Sequence, residues 1–206
     1  MKYLGVKIDQ TLSMQDQISS VCRASFLEFR RLASIRHYLS ERTSARLVAV
    51  FITSRLDHCN SVLAVLPAEQ TSRLQRIEIS AAQLVLKKRK RDHITPLLNE
   101  VHWLPVKFRC EYKIATLAHR HFDGSLSSYL SASLCTYQTS RVLRSTNEKL
   151  FKIPKRSLKS VDHCSFSFIA PTVWNSLPAS LRNPPPRSDF KAQLNTFPFQ
   201  QAFPQM

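Results

Sequence analysis

The chain has 206 residues, and its 30 Lys and Arg against 14 Asp and Glu leave a formal net charge of +16. It contains only two glycines, Gly5 and Gly124, where average usage would give about fourteen. This shortage excludes the G-x-G-x-x-G and G-x-x-x-x-G-K-[ST] phosphate-binding loops and disfavours a hairpin-rich all-β fold, whose tight turns draw on glycine. A charge this large favours a polyanionic partner, most often nucleic acid.

The cysteines and the apolar segments predict an intracellular, reduced protein. The five cysteines are widely spaced, and no two have C-x₂₋₄-C spacing, so neither a disulfide framework nor a zinc site is indicated. The longest apolar run, Leu47 to Ile52, is far shorter than the roughly 20 residues that a bilayer requires. The N-terminus lacks a signal-peptide profile. We therefore expect a nuclear or cytoplasmic chain without membrane contact.

The first predicted element is a single strand. Residues 2–9 alternate apolar and polar at Leu4, Val6 and Ile8, which is the period of a half-buried strand. No convincing partner strand follows in the helical part of the chain. We therefore expect an orphan strand, as if the chain began partway through a larger sheet.

Three amphipathic helices are predicted next. The first begins at Ser13 with Asp16 as a capping signal, the second at Ser40, and the third after Pro67. The predicted inward positions of the first helix are Met14, Ile18, Val21, Cys22, Phe26, Phe29, Leu32 and Ala33. Those of the second helix are Leu47, Val48, Phe51, Ile52 and Leu56. Those of the third helix are Leu74, Ile77, Ala81, Ala82 and Val85.

Two further helices precede a long tail. Thr95-Pro96 predicts the start of a short helix that Trp103-Leu104-Pro105 ends, and a second helix spans about Val106 to His121, with Gly124 as its left-handed C′ residue. Eight of the eleven prolines lie beyond residue 150. We therefore predict a mainly α chain with three regions: a remnant strand over 1–10, a helical domain over 11–135, and an irregular, basic, Pro-rich region over 136–206. The predicted short-strand positions of the tail are Leu150, Ile153, Phe166 and Phe168, and Ser188 is the predicted cap of its short final helix.

Few residues suggest catalysis. The 14 acids are scattered, and no two are adjacent or separated by one residue, so no pair is placed to share metal ions. Asp9 is interpreted as a polar residue that ends the strand rather than as a catalytic acid. Trp103 and Trp174, each flanked by Leu and Pro, are interpreted as core residues rather than as binding residues.

The histidines also favour structural roles. His119 and His121 lie near a helix end, where cations suit the helix dipole, and they lack the i, i+4 spacing of helical metal ligands. His58 and Cys59 are neighbours on a helix and so do not face each other as a base and a nucleophile would. No cofactor or metal site is predicted.

The basic residues carry the strongest functional signal. Five consecutive cations at 87–91 fit phosphate contact, a solvated face or a nuclear localisation signal. Aromatic residues interleave poorly with the cations, so backbone contact is favoured over base stacking. The candidate nucleic-acid-binding residues are Arg23, Arg30, Arg31, Arg36, Arg73, Arg76, Lys87, Lys88, Arg89, Lys90 and Arg91.

An ordered set of short segments resembles one family. The segments are Tyr3-Leu4-Gly5-Val6-Lys7-Ile8-Asp9, Ser54-Arg55-Leu56-Asp57-His58-Cys59-Asn60, Arg73-Leu74-Gln75-Arg76-Ile77, His93-Ile94-Thr95-Pro96, His102-Trp103-Leu104-Pro105-Val106, Ser165-Phe166-Ser167-Phe168, Trp174-Asn175-Ser176-Leu177-Pro178, Leu181-Arg182 and Phe190-Lys191. In this order they resemble the C-terminal third of the reverse transcriptases of jockey-like non-LTR retrotransposons (LINEs). Each segment is weak by itself, but the ordered set is specific and covers nearly the whole chain.

The resemblance implies a thumb without its catalytic palm. Residues 3–9 would be the strand after the palm's catalytic hairpin, and the helices from 13 to about 135 would hold the RNA/DNA template–primer duplex. The family's catalytic aspartates, which bind Mg, would lie upstream and be absent here, so the palm domain is an implied partner and no small-molecule substrate is expected. This chain by itself is therefore predicted not to be an enzyme, although the parent family is an RNA-directed DNA polymerase.

Three departures from the family pattern suggest a degraded element copy. Ile79 stands where Asn is usual, Val65 stands where the family has Gly, and Pro198 interrupts the final helix-like segment. The competing hypotheses are a self-standing basic module that binds an acidic protein or a membrane surface, and a reading frame without selected function.

Overall fold

The computed structural model describes residues 2–10, 13–88, 94–137, 149–154, 165–183 and 187–203; in the helices that begin at 94 and 187, side chains are described from 97 and 190 onward. The described chain is mainly helical, as predicted. Its strands are β1 (Lys2–Tyr3) and β2 (Val6–Lys7), and its helices are α1 (Gln15–Ile35), α2 (Glu41–Val48), α3 (Ser54–Asp57), α4 (Ala68–Leu86), α5 (Ile94–Glu100), α6 (Val106–Phe122), α7 (Ser128–Ala132), α8 (Phe166–Asn175), α9 (Ala179–Arg182) and α10 (Arg187–Ala202). None of the described helices is both long and apolar enough to cross a membrane.

The chain divides into two compact units. The first comprises residues 1–110 with 202–206, and the second comprises residues 111–201. The division falls inside α6, whereas the sequence placed a boundary near residue 135. Each unit has its own buried side chains.

The predicted orphan strand at the N-terminus is wrong, because this segment folds back on itself as a hairpin. β1 and β2 pair antiparallel, with Lys2 opposite Lys7 and Tyr3 opposite Val6. Leu4 and Gly5 form the turn, with φ of 45° and 87°, as two-residue hairpin turns require. Leu4 is 93% exposed and only Val6 is buried, so the alternation that predicted one continuous strand included a turn residue.

The side chain of Asp9 binds the backbone just before the first helix. Its carboxylate accepts hydrogen bonds from the backbone N–H groups of Ser13, at 2.9 Å, and Met14, at 2.8 Å. These are donors at a helix start, which a carboxylate satisfies and stabilises through the helix dipole. α1 therefore begins at Gln15, two residues later than predicted.

The second predicted helix contains an irregular turn. A π turn over Ala49–Thr53 joins α2 to α3. The wider turn keeps positions four residues apart on one face, so that Val48, Ile52 and Leu56 are all buried. Phe51 was predicted to face inward, but it is 40% exposed.

The core of the first unit lies between α1, α2, α4 and the start of α6. All five predicted inward residues of α4 are buried, which confirms that stripe. On α1 the prediction is confirmed for Met14, Ile18, Cys22 and Leu32, but Phe26 and Ala33 are exposed.

The prediction of an irregular tail is wrong for the described residues beyond 164, most of which are helical. Phe166 and Phe168, predicted as strand positions, begin α8, and α10 continues through Pro198, which was expected to interrupt it. The single described bridge in this unit pairs Thr136 with Phe151. Two-residue alternation is too short to distinguish a strand from a helix start. Pro198 is buried at its position within α10.

An aromatic cluster holds the second unit together. Trp174 is fully buried, and its indole N–H donates to the carbonyl of Lys149 at 2.7 Å. The side chain of Asn175 binds both the N–H and the C=O of Phe151, as a strand partner would. The rings of Phe122 and Phe190 have centroids within 6 Å of that of Trp174. The Trp-Asn pair of the sequence is therefore structural, as expected for Trp174.

Candidate nucleic-acid interface

Two rows of cations lie on neighbouring helices of the first unit. On α1, Arg23 and Arg30 are seven residues apart and share one face, and both are exposed. On α4, half-buried Arg73 and exposed Arg76 lie outside the buried stripe, and exposed Lys87 follows the last residue of the helix. We call these five residues the basic seam.

The packing of α1 against α4 sets the two rows side by side. Arg73 donates to the hydroxyl of Ser19 on α1 at 3.1 Å, one turn before Arg23. At the other end, Arg36 binds the backbone of Leu84 and Val85 in the last turn of α4. The two helices therefore run in the same general direction, and packed helices lie about 8–10 Å apart.

The cations of the seam have no acid partner among the described residues. No described carboxylate lies within 4.0 Å of the charged nitrogens of the five residues. The exposed acids Asp16 and Glu69 stand nearer the N-terminal ends of the two rows. Neighbouring cations without acid partners attract a polyanion, because the fields of charges of one sign add at the surface.

Two predicted binding residues have other partners. Arg36 is 8% exposed, and its guanidinium donates to the carbonyls of Leu84, Val85 and Leu39 at 2.5–2.7 Å. It closes the end of α4 and is therefore removed from the candidate interface. Arg31 is exposed but pairs with Glu28 at 3.2 Å, on the side of α1 away from the seam.

The predicted basic run is only partly described. Lys87 ends α4 in the left-handed conformation, with φ of 53°, and both Lys87 and Lys88 are exposed. Arg89, Lys90 and Arg91 lie outside the described residues. The seam thus ends at Lys87, the first cation of the run, and the exposed Lys88 follows it.

Sequence reasoning missed Phe26 as a surface residue. It was assigned to the buried stripe, yet it is 41% exposed. It lies three residues after Arg23 and four before Arg30, and seven after Ser19, on the flank of α1 that faces α4. Its spacing from the buried Cys22, four residues earlier, is that of a core position, so the helical pattern alone does not distinguish the two environments.

A second polar group of the first unit has a structural role, and its acid Glu78 is buried. Arg109 on α6 makes two hydrogen bonds to Asp57, one of them at 2.9 Å, and its guanidinium lies 3.5 Å from Glu78. Gln75 donates to Glu78 at 2.9 Å and accepts from the N–H of Val106 at 2.9 Å. This network joins the end of α3, the middle of α4 and the start of α6. Asp57 and Gln75, which belong to the segments that carry the resemblance, thus act within the fold.

The buried acid of this network has a shifted pKa. Glu78 is 2% exposed, and burial raises its pKa to about 7, against the opposing charge of Arg109. Between the ordinary pKa of 4.5 and about 7, the folded chain holds a proton that the unfolded chain has released. The contribution of Glu78 to the free energy of unfolding therefore falls as the pH rises through this window.

We expect this pH dependence to disappear in Glu78→Gln. At about 1.4 kcal/mol per pH unit, the wild-type chain should lose up to about 3 kcal/mol relative to this variant between pH 4.5 and 7.5. Urea unfolding at several pH values measures the difference, in which the titration of the other groups cancels. A difference that is constant with pH would contradict the assignment.

The histidine pairs have ordinary roles. His119 is buried, stacks on Phe190 with ring centroids 3.8 Å apart, and pairs with Asp123 at 3.1 Å. His121 contacts the hydroxyl of Ser131 at 2.8 Å, and burial lowers its pKa. Within the described ranges, no three His, Cys, Asp or Glu side chains are close enough to hold a metal ion.

His58 and Cys59 are not arranged as a base and a nucleophile. The Nε2 of His58 lies 3.1 Å from the carbonyl oxygen of Leu4, in the turn of the hairpin. Cys59 is half-buried and packs against the core. Trp103 also packs against this core, as predicted.

The comparisons of this chain with protein-family models, with curated proteins and with solved structures found no match. The resemblance to LINE reverse transcriptases therefore stays a prediction from the sequence segments. The seam itself is the structural feature that favours a binding surface.

Proposed function

We propose that the basic seam binds the phosphate backbone of nucleic acid. The observation that supports this most directly is the pair of cation rows on α1 and α4, which no described carboxylate pairs with. The net charge of +16 supports it at the level of the whole chain. Arginine and lysine at the surface bind phosphates without reading base sequence, so the proposed binding is independent of sequence.

Together with the resemblance, this gives a more specific proposal. The chain would be a non-catalytic, C-terminal part of a LINE-type reverse transcriptase that grips the RNA/DNA template–primer duplex. A stand-alone module for an acidic protein or a membrane surface is the alternative. The two differ in whether the purified chain binds a nucleic-acid duplex with the salt dependence of phosphate contacts.

Charge reversal on α1 tests the proposal. We expect Arg23→Glu with Arg30→Glu to lower duplex affinity at least tenfold at about 100 mM salt. Since two phosphate contacts are removed, the slope of log K against log[salt] should become shallower by about 1.8. Fluorescence anisotropy with a labelled RNA/DNA hybrid at four salt concentrations measures both quantities.

A matched control separates local contact from net charge. Lys113→Glu with Lys191→Glu changes the total charge equally, at two exposed positions of the second unit. This variant should keep most of the affinity and the slope. Equal losses in both double variants would contradict the seam as the binding surface, and no binding by the wild-type chain at low salt would contradict the proposed function altogether.

The proposed lack of catalysis has a separate test. The purified chain should extend no primer on an RNA template in the presence of Mg²⁺. Primer extension by this chain would contradict its assignment as a non-catalytic part.

A further inference from the structure

An exposed aromatic ring lies beside the arginines of α1. Phe26 is 41% exposed and stands between Arg23 and Arg30 along α1, about 4.5 Å and 6 Å from them along the helix axis. Ser19, two turns earlier on the same flank, is the residue that α4 reaches through Arg73. The ring therefore lies on the side of the arginine row that faces α4.

The chemistry of this position differs from that of the cations around it. A phenyl ring has no hydrogen-bonding group, so it reads neither phosphates nor base edges. Its face stacks well on a nucleobase, and every base has such a face. In a duplex the base faces are covered by their neighbours, so a nucleobase that the ring can reach must be unpaired.

We propose that Phe26 stacks on an unpaired base of a single-stranded segment while Arg23 and Arg30 hold the phosphates on either side. This inference rests on the proposed function, since the arginines must bind a nucleic-acid backbone for the ring to meet a base. It adds a contact that depends on the presence of a base, whereas the seam itself contacts only phosphates.

A second exposed phenyl ring in the same unit, that of Phe51, serves as a matched control for Phe26. Phe51 is 40% exposed, almost the same fraction as Phe26, but it lies in the π turn after α2. Arg55, one turn later, binds the carbonyl of Phe51 and pairs with Glu28 at 3.8 Å. The arginine nearest to Phe51 in sequence is therefore paired with an acid, whereas Arg23 and Arg30 beside Phe26 are not paired with any described acid.

The experiment compares Phe26→Ala, Phe26→Trp and Phe51→Ala with the full wild-type chain. Each is titrated by anisotropy into a labelled single-stranded oligothymidine and into an abasic strand of the same length, which keeps the phosphates and lacks the bases. Far-UV circular dichroism and thermal unfolding establish that each variant is folded.

We expect Phe26→Ala to weaken binding to oligothymidine about fivefold or more, which is the lower end of the range for one base stack. Its affinity for the abasic strand should be unchanged, and its salt slope should equal that of the wild type because no cation is lost. Phe26→Trp should retain or increase the affinity. Phe51→Ala should bind both strands as the wild type does.

Two results would overturn the inference while leaving the proposed function intact. One is equal binding of oligothymidine by Phe26→Ala and Phe51→Ala. The other is the same loss on the abasic strand as on oligothymidine, which would show that the ring supports the fold or the arginines rather than a base. If the wild-type chain bound neither strand nor the hybrid duplex, the proposed function would fail and this inference with it.

Discussion

Replacing Arg109 by alanine should destabilise the first unit by about 3–5 kcal/mol. The substitution leaves Glu78, which is 2% exposed, without its cation and removes both hydrogen bonds to Asp57. The loss should be larger at pH 8 than at pH 5, because burial raises the pKa of Glu78 to about 7 and the protonated acid tolerates the missing partner. Urea unfolding followed by circular dichroism at the two pH values measures the effect.

Two further variants make the result specific to the network. Arg46→Ala removes an exposed arginine of the same unit and should change the free energy of unfolding by no more than about 0.5 kcal/mol. Glu78→Gln in the Arg109→Ala background should recover part of the loss at pH 8, because the amide carries no charge to desolvate. A loss below about 1 kcal/mol in Arg109→Ala would show that the buried pair contributes little.

The second large effect is expected at Trp174. Its side chain is fully buried, lies within an aromatic cluster with Phe122, Phe151 and Phe190, and donates to the carbonyl of Lys149. Trp174→Ala should cost about 3–5 kcal/mol, through the cavity and the lost contacts. Urea unfolding followed by far-UV circular dichroism measures this, because tryptophan fluorescence is itself altered by the substitution.

Controls for Trp174 come from the same unit. Tyr129 is 73% exposed, so Tyr129→Ala should leave stability within about 0.5 kcal/mol of the wild type. Trp174→Phe keeps most of the ring but removes the N–H donor to Lys149, and an intermediate loss would separate packing from hydrogen bonding. An alanine variant as stable as Tyr129→Ala would contradict the role of the aromatic cluster as the core of this unit.

The helical stripes were largely predictable, because their periodicity is a local property. On α4, an unbroken 3.6-residue pattern places Leu74, Ile77 and Val85 on one buried face. On α1 the same reasoning assigned Phe26 to the core, because the predicted stripe was wider than the surface that α4 covers. The width of a buried face depends on how many helices pack against it, which one helix cannot reveal.

The hairpin and the tail show that short alternating patterns do not decide the secondary structure. Leu4 looked like one member of an alternating strand, but Gly5 permits a turn at that position, and the two readings share the same local pattern. Phe166 and Phe168 looked like a strand for the same reason. Pro198 is accommodated within α10, where it is buried. Short patterns leave such choices to distant contacts.

The candidate interface could be predicted only in part from the sequence. The sequence supplies the number of cations and their spacing along α1 and α4, but only the packing of these helices shows that Arg73 lies beside the Arg23 row and that Arg36 caps α4. The polar residues Asp57 and Gln75 likewise acquire a structural role only once α6 brings Arg109 and Val106 to them.

The sequence by itself determined a mainly helical chain with a large positive charge and few acids, because composition and helical periodicity are properties of neighbouring residues. The tertiary structure decided which cations remain without a partner, which acid is buried with Arg109, and where Phe26 is exposed. Burial, ion pairing and desolvation depend on residues that are distant in the chain and adjacent only after folding. Among the predicted binding cations that the structure describes, Arg36 is buried, Arg31 is paired with Glu28, and the five of the seam are exposed or half-buried.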